Sequence, residues 1–381
     1  MAELERAEFD LHVLALNGLR RGRTTGSCAT AAVKAALMAM LLHKRPDQVD
    51  VSLPDGRHFL RVPIAGITDL DAATVRADVL KDGGDDPDNT HGATIFAEVR
   101  RNDVAAIRFF AGRGVGTATL PGLRVAVGQP AINPVPRTMM RQAANDVLQQ
   151  AGLPATTGFD FTIGCENGEQ IARKTFNPRL GILGGISILG TSGIVEPMSM
   201  ASWVASVEVY VRVALGDQAT SVAYLPGKIG REFAQQVLGL PEQRTVQIAN
   251  FLGDALDFTQ VALEETQRRL DVLWLAGHPG KLAKVLDHVW DTHSSKSGMA
   301  MQHVAQVAAE RGFAAALVHS IAQANTVEAA IDILKFEPGA QALWIAIEHR
   351  IGALVHVRVP AVNSVQVRLF DLNGNALGEA V

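Results

Sequence analysis

Cysteine is almost missing from this chain: Cys28 and Cys165 are the two among 381 residues. Two thiols exclude a disulfide framework and a thiolate metal cluster. Charge of one sign is missing too. The formal net charge is -4, so no global basic field draws the chain to nucleic acid, although a local basic pocket stays open. Residues 1–10 alternate acids with small side chains and lack the basic and apolar blocks of a signal peptide. No long uncharged apolar run is apparent; residues 181–195 are apolar but too short and too glycine-rich to span a bilayer. A soluble cytoplasmic protein with neither membrane nor nucleic-acid partner is the expectation. Hydrophobic residues at 48% and charged residues at 19% match a folded chain long enough for two or three domains.

Glycine, by contrast, is plentiful. The run Gly22-Arg23-Thr24-Thr25-Gly26-Ser27-Cys28-Ala29-Thr30-Ala31-Ala32 carries a loop straight into a helix of small residues, predicted over 30–42. Free N–H groups beside little side-chain bulk suit a carboxylate, a phosphate or a closely packed cofactor. Thr24, Thr25, Ser27 and Thr30 can cap the helix or bond a ligand, and Arg20, Arg21 and Arg23 can grip carboxylates. Cys28, close to a helix start, is either a packed small residue or a thiol of lowered pKa.

Strands are predicted at 49–53, 58–62, 72–80, 94–100, 106–111, 159–163 and 203–214, with a helix at 138–150. From about residue 219 strands and helices alternate: strands at 220–224, 245–249 and 271–276, helices at 228–238, 254–269 and on to 289. This pattern predicts a parallel sheet covered on both faces. A helix at 324–334 and a strand at 340–347 extend it, and alternating strand patterns at 354–370 close back on the fold. The expected architecture is multidomain, α+β and α/β: a mixed-sheet region at 1–215, a three-layer α/β domain at 216–350, and a β segment at 351–381.

Five stretches carry chemistry beyond the opening loop. Lys81-Asp82-Gly83-Gly84-Asp85-Asp86-Pro87-Asp88-Asn89-Thr90-His91-Gly92 is compatible with a solvated turn, an acid–base loop or a hard-cation site, though it lacks the calcium-loop pattern. The glycines of 112–123 resemble a dinucleotide fingerprint superficially, but Pro121 and Gly122 forbid the helix that should follow. Arg137 falls in the first turn of its helix, where a cation opposes the macrodipole by ~0.3–1 kcal/mol if exposed; an anionic partner or a surface position accounts for it. The glycine-dense 180–193 segment, with Glu166, Arg179, Thr191, Ser192 and Glu196 about it, implies close packing or N–H groups facing a ligand. Gly277-His278-Pro279-Gly280-Lys281 ends a predicted parallel strand, the edge where open sheets bind ligands, without the spacing of a P-loop. Asp291, His293 and Ser294 follow one helix later; a metal site from His278, Asp291 and His293 is not expected.

Together these pieces resemble the cobalt-precorrin-5B C1-methyltransferase family of cobalamin biosynthesis, CbiD. The resemblance rests on seven motifs in order: Arg23 to Ala29, Lys81 to Asp88 with Thr90-His91-Gly92, Gly114-Val115-Gly116-Thr117, Ala131 to Arg137, Gly181 to Gly193, Gly277 to Lys281, and Thr292-His293-Ser294. Gly84 and Ile186 stand where family members often carry alanine and threonine. The resemblance implies methyl transfer from S-adenosylmethionine to C1 of cobalt-precorrin-5B, giving cobalt-precorrin-6A and S-adenosylhomocysteine in the oxygen-independent branch. Cobalt then belongs to the substrate, and the protein itself needs no metal. The donor is already activated, so catalysis is expected to consist mostly of alignment and exclusion of water. On this reading Arg23, Arg137 and Arg179, with Thr24, Thr25 and Ser27, hold the carboxylate-fringed macrocycle. Asp85, Asp86 and His91 handle a proton or polarise the substrate. Asn250, Gly253, Asp254, Gly277, His278, Gly280 and Lys281 hold the donor, with 180–193 as the rival location. A phosphoryl-transfer enzyme and a non-catalytic corrinoid carrier are the competing classes, and a homodimer stays open.

Overall fold

The small residues after Thr24 form a helix earlier than predicted. Helix α1 spans Thr25–Leu42, with Thr24 as its N-cap accepting from the Ser27 N–H and His43 in the left-handed conformation closing its end. Alanines and Cys28 make it thin, and most of it is buried. Its length and composition are also those of a membrane-crossing helix, contrary to the sequence reading, but 72% of it lies packed inside the protein. The computed structural model describes residues 6–293 and 300–379, and the chain divides into two units, Met1–Ser199 and Met200–Val381.

In the first unit a hairpin, β1 (Gln48–Ser52) and β2 (His58–Pro63), turns at Asp55, whose carboxylate accepts from the N–H groups of Arg57 and His58. A five-stranded mixed sheet follows: β3 (Gly66–Asp71), β4 (Thr74–Leu80), β5 (Thr94–Asn102), β6 (Ile107–Ala111) and β7 (Gly158–Cys165), ordered β3-β4-β5-β7-β6. The pairs are antiparallel except β6 with β7. Alternation places Val75, Ala77 and Val79 on the covered face, where they meet α1 and Ile95, Ala97, Phe161 and Ile163. Helix α2 (Pro134–Gln150) packs against α1. Each fully buried Val, Leu, Ile or Phe here contributes roughly 1.5–3 kcal/mol.

The second unit begins with helix α3 (Met200–Leu215), where a strand is predicted at 203–214. Val207, Val211, Ala214 and Leu215 recur at spacings of three and four and are buried, while Glu208 and Arg212 pair across one turn at 2.9 Å. That period overrides the β-branched propensity. The sheet contains β8 (Ser221–Leu225), β9 (Thr245–Gln247), β10 (Leu270–Gly277) and β11 (Val362–Leu369) in the order β9-β8-β10-β11, all parallel. Helix α4 (Leu252–Glu265) connects β9 to β10. After β10 come α5 (Pro279–Leu282), a 3-10 turn at Ala283–Asp287, and helices α6 (Met301–Glu310), α7 (Ala315–Ala322), α8 (Val327–Leu334) and α9 (Ala340–Arg358).

Helix α9 replaces the strand predicted at 340–347 and takes up part of 354–370; Leu343, Trp344, Ile347, Ile351 and Val355 form its buried stripe. The helix predicted at 228–238 shrinks to a π-helical turn at Phe233–Val237, behind a chain broken by Pro226, Gly227 and Gly230. The layering follows from parity along β10. Leu273 and Leu275 face the thick helical core, whereas Trp274 and Ala276 join Phe233 and Phe370 on the other face. The result is the expected three-layer α/β arrangement with one thick cover and one thin one.

Candidate functional site

The opening loop of the first unit is turned inward. Thr24 Oγ1 accepts from the Ser27 N–H and donates to Gly193 O at 3.3 Å; Ser27 Oγ donates to the same carbonyl at 2.5 Å. Thr25 Oγ1 donates to Leu189 O at 3.1 Å and accepts from the Leu189 N–H at 2.9 Å, and the Gly26 N–H also reaches Leu189 O. All three hydroxyl side chains are buried. They bind the 187–193 segment to α1, so the hydroxyls of Thr24, Thr25 and Ser27 are spent on backbone partners. Burial pushes the Cys28 thiol up to about 12, so the lowered pKa considered from sequence is reversed and Cys28 is no nucleophile near neutral pH.

Arg23 is different. Its Nη2 donates to Arg61 O at 3.3 Å, but its Nε is buried with no hydrogen-bond partner. A guanidinium with an unmade bond has a reason to take an anionic ligand. Arg20 and Arg21 are already engaged, Arg20 with Asp85 at 3.2 Å and Arg21 with Glu196 at 2.6 Å.

The acidic loop is held from outside by Arg20 and Met198 and from within by Lys81 and Thr90. The Asp85 carboxylate accepts from the Arg20 N–H, which draws its pKa below the ordinary value with help from the Arg20 side chain. Asp86 accepts from the Met198 N–H at 2.9 Å. Lys81 is 1% exposed and meets Asp88 at 2.5 Å, and Asp88 also accepts from the Thr90 N–H and hydroxyl. Asp85 and Asp86 therefore fasten the loop, and this geometry offers neither of them as a proton donor. His91 remains chemically open. Its Nδ1 accepts from the Gly83 N–H at 3.1 Å, which leaves the proton on Nε2 of an exposed ring. Among the described residues no group of three or more His, Cys, Asp or Glu is arranged to hold a metal ion.

Arg137 donates from Nε to Ile132 O at 2.8 Å and from Nη2 to Pro130 O at 3.1 Å. It lies 5.2 Å from the Phe109 ring centroid, and Arg141 lies 5.0 Å from the same ring. Burial lowers the Arg137 pKa, and the Arg141 charge lowers it further. Two guanidinium groups on one ring, with no carboxylate paired to either among the described residues, form a local cationic patch. Arg179 is exposed beside Phe176, in a 3-10 turn at Asn177–Leu180. The 112–123 and 180–193 glycines serve close packing: Gly114–Val115 pairs with Gly185–Ile186, and Thr117–Ala118 with Ile182–Leu183.

In the second unit the chain leaves β8 toward β9 on one side and returns to β10 on the other, so a switch point lies between the carboxyl ends of β8 and β10. Lys281 Nζ donates to Pro226 O at 2.9 Å and approaches Ala249 O at 3.5 Å, bridging the loops that follow β8 and β9. His278 caps α5 by accepting the Gly280 N–H at Nδ1 and pairs with Glu328 through Nε2. The Gly253 N–H is bonded to Trp290 O. His278, Gly280, Lys281 and Gly253 thus shape this edge. The half-buried side chains of Asn250 and Asp254 make no hydrogen bond or ion pair among the described residues, and the N-terminal turn of α4 carries Asp254. Ser294, part of the last motif, lies outside the described residues.

Sequence reasoning missed Arg141 and Glu328, and it named Lys81 without its buried pairing to Asp88. Lys81 had a signal: it continues the buried parity of Val75, Ala77 and Val79. Arg141 is one helical turn beyond Arg137, and Glu328 lies in the first turn of α8, where acids usually serve the helix dipole.

An open parallel sheet with partner-free polar side chains beyond its carboxyl edge is the layout of a ligand-binding α/β enzyme unit. The chain belongs to the CbiD family: the CbiD model matches residues 14–197, and the model described as CbiD, C-terminal domain, matches 291–381. The "Cobalt-precorrin-5B C(1)-methyltransferase" of Ralstonia nicotianae is 63% identical over 98% of this chain and 97% of its own. The protein of the same name from Chromobacterium violaceum is 58% identical over 98% and 99%. The crystal structure of a cobalamin biosynthesis protein (cbiD) from Archaeoglobus fulgidus is 25% identical, covering 79% of this chain and 88% of that one, with a TM-score of 0.39.

Proposed function

We propose that this chain is a methyltransferase acting on cobalt-precorrin-5B, transferring a methyl group from S-adenosylmethionine to C1 and yielding cobalt-precorrin-6A and S-adenosylhomocysteine. The kinship with the two high-identity relatives carries the reaction. Asp254, half-buried at the carboxyl edge of the parallel sheet and without a partner among the described residues, supports the placement of the donor. A donor with a ribose diol and an amino-acid end needs acceptors and donors of the kind Asp254 and Asn250 supply. The donor supplies an activated methyl on a sulfonium, and C1 supplies the electron pair.

The residues bind, orient and exclude water. Asp254 accepts from ribose hydroxyls, Asn250 adds an amide, and Gly277 lets the strand end pack close to Pro226, 3.2 Å from where a Cβ would stand. His278, Gly280, Lys281 and Gly253 hold the surrounding loops in place. In the first unit, Arg23 and the Arg137–Arg141 patch take macrocycle carboxylates, with Arg179 as a further cation. His91 presents an N–H from Nε2, suited to polarising a substrate oxygen or nitrogen and unsuited to abstracting a proton there. Asp85 and Asp86 keep His91's loop in register.

Replacing Asp254 by alanine is expected to raise the KM for the donor about 10- to 100-fold, from ~1.5–3 kcal/mol of charge-assisted hydrogen bonding. The KM for the tetrapyrrole should stay within about twofold. Steady-state kinetics with each substrate varied separates the two, and an unchanged donor KM places the donor elsewhere.

A further inference from the structure

The loop that follows β10 and the terminal turn meet at one carboxylate, that of Glu328. His278 Nδ1 accepts the Gly280 N–H at 3.0 Å, so that nitrogen carries the lone pair and the ring proton sits on Nε2. Nε2 faces Glu328 Oε2 at 2.9 Å, and both side chains are largely buried, 19% and 27% exposed. Protonating Nδ1, or moving the ring proton to it, would break the cap on Gly280. Glu328 stands in the first turn of α8, itself fixed by Thr326, whose hydroxyl accepts the Ala329 N–H at 3.1 Å.

The other oxygen of Glu328 receives the Leu372 N–H at 3.5 Å. Two residues earlier the Phe370 N–H donates to Gly277 O at 3.1 Å, directly beside His278. The turn at 371–375 is closed by Asp371, which accepts from the N–H groups of Asn373 and Asn375. Beyond it the chain is pinned by Glu348, buried in α9, which accepts from the N–H groups of Leu369 and Glu379. The loop after β10 and the terminal turn therefore share Glu328 as an anchor, beside the Phe370–Gly277 bond.

We propose that Glu328 is a positioning residue for the methyl-donor loop, holding His278 in its Nε2–H tautomer so that residues 277–281 keep the shape the donor needs. This rests on the donor binding at the carboxyl edge, as argued above. Glu328 touches neither substrate. It acts through His278.

The test uses the full chain with Glu328→Ala, Glu328→Gln and His278→Asn. The His278 tautomer is read from imidazole nitrogen shifts, with His278→Asn assigning the signal. Glu328→Ala is expected to shift His278 away from the Nε2–H form and raise the donor KM about tenfold, with the tetrapyrrole KM within twofold. Glu328→Gln, which retains an oxygen acceptor, should restore both. Asparagine can cap Gly280 without a carboxylate behind it, so in a His278→Asn background Glu328→Ala should change the donor KM less than twofold. An unaltered tautomer in Glu328→Ala overturns the positioning role. A shifted tautomer with an unchanged donor KM overturns the placement of the donor at this edge. Equal loss in both KM values and kcat, or a Glu328→Ala chain that does not fold while Glu328→Gln fails to keep the wild-type tautomer, reduces Glu328 to a structural residue and overturns the proposal.

Discussion

Gly114→Ala is expected to cost more than ~4 kcal/mol and leave the first unit unfolded or insoluble, a size reached only by severe mechanisms. Gly114 has a φ of +75°, and a Cβ there would stand 2.1 Å from Cys165 O and 2.9 Å from the Gly168 nitrogen. The left-handed backbone alone costs an L-residue about 1–2 kcal/mol. The clash adds the larger part, because both opposing atoms are backbone, one at the end of β7 and one at the start of the short helix Gly168–Ala172. Gly114 and Val115 also pair with Gly185 and Ile186, so a displaced Gly114 carries that segment with it. Gly128 supplies the control: its φ is +83° but nothing lies within 4 Å of a Cβ. Gly128→Ala should cost only about 1–2 kcal/mol. Urea midpoints of the two variants, or the soluble fraction for Gly114→Ala, check the contrast; similar costs would show that the close approach is not rigid.

Lys81→Met should destabilise the first unit at pH 7 by about 3–5 kcal/mol, the usual result of leaving one member of a buried ion pair alone. The 26% exposure of the Asp88 side chain argues for the lower end. Burial by itself would raise the Asp88 pKa, but the Lys81 charge and the Thr90 hydrogen bonds outweigh it and hold the value below the ordinary 3.8. A depressed carboxylate gives stability that is present above the unfolded pKa and lost as pH falls through the folded one. In wild type this contribution fades below about pH 4. In Lys81→Met the lone carboxylate is penalised by burial, so lowering the pH toward 4 should relieve the variant. Adding Asp88→Asn to Lys81→Met should recover part of the loss at pH 7. Denaturation at several pH values measures all three, and a Lys81→Met midpoint equal to wild type at pH 7 would mean the pair contributes nothing net.

These two sites show what a sequence does and does not display. The amphipathic strands of the first sheet, the hairpin around Asp55 and the alternating parallel unit were legible because their periods are local. Helices α3 and α9 read locally as strands, α3 through Val204, Val207, Val209, Val211 and Val213 and α9 through Trp344, Ile345 and Ile347. Their burial at helical spacing is set by neighbours distant in sequence. The hydroxyls of Thr24, Thr25 and Ser27 look alike whether they face a ligand or a backbone. Their partners are Leu189 and Gly193, more than 160 residues away. Asp85 and Asp86 presented the same difficulty, being answered by Arg20 and Met198. Arg23 and Asp254 remain as site candidates because each has bonding capacity that none of the described residues satisfies.

The most direct measurement is an anaerobic turnover with cobalt-precorrin-5B and S-adenosylmethionine labelled with carbon-13 in the methyl group, followed by NMR of the corrinoid product. The expected result is one labelled methyl per product molecule, attached at C1, with one S-adenosylhomocysteine formed for each. Label at another carbon, or binding of the tetrapyrrole with the donor unconsumed, would contradict methyl transfer to C1 and turn attention to a carrier role.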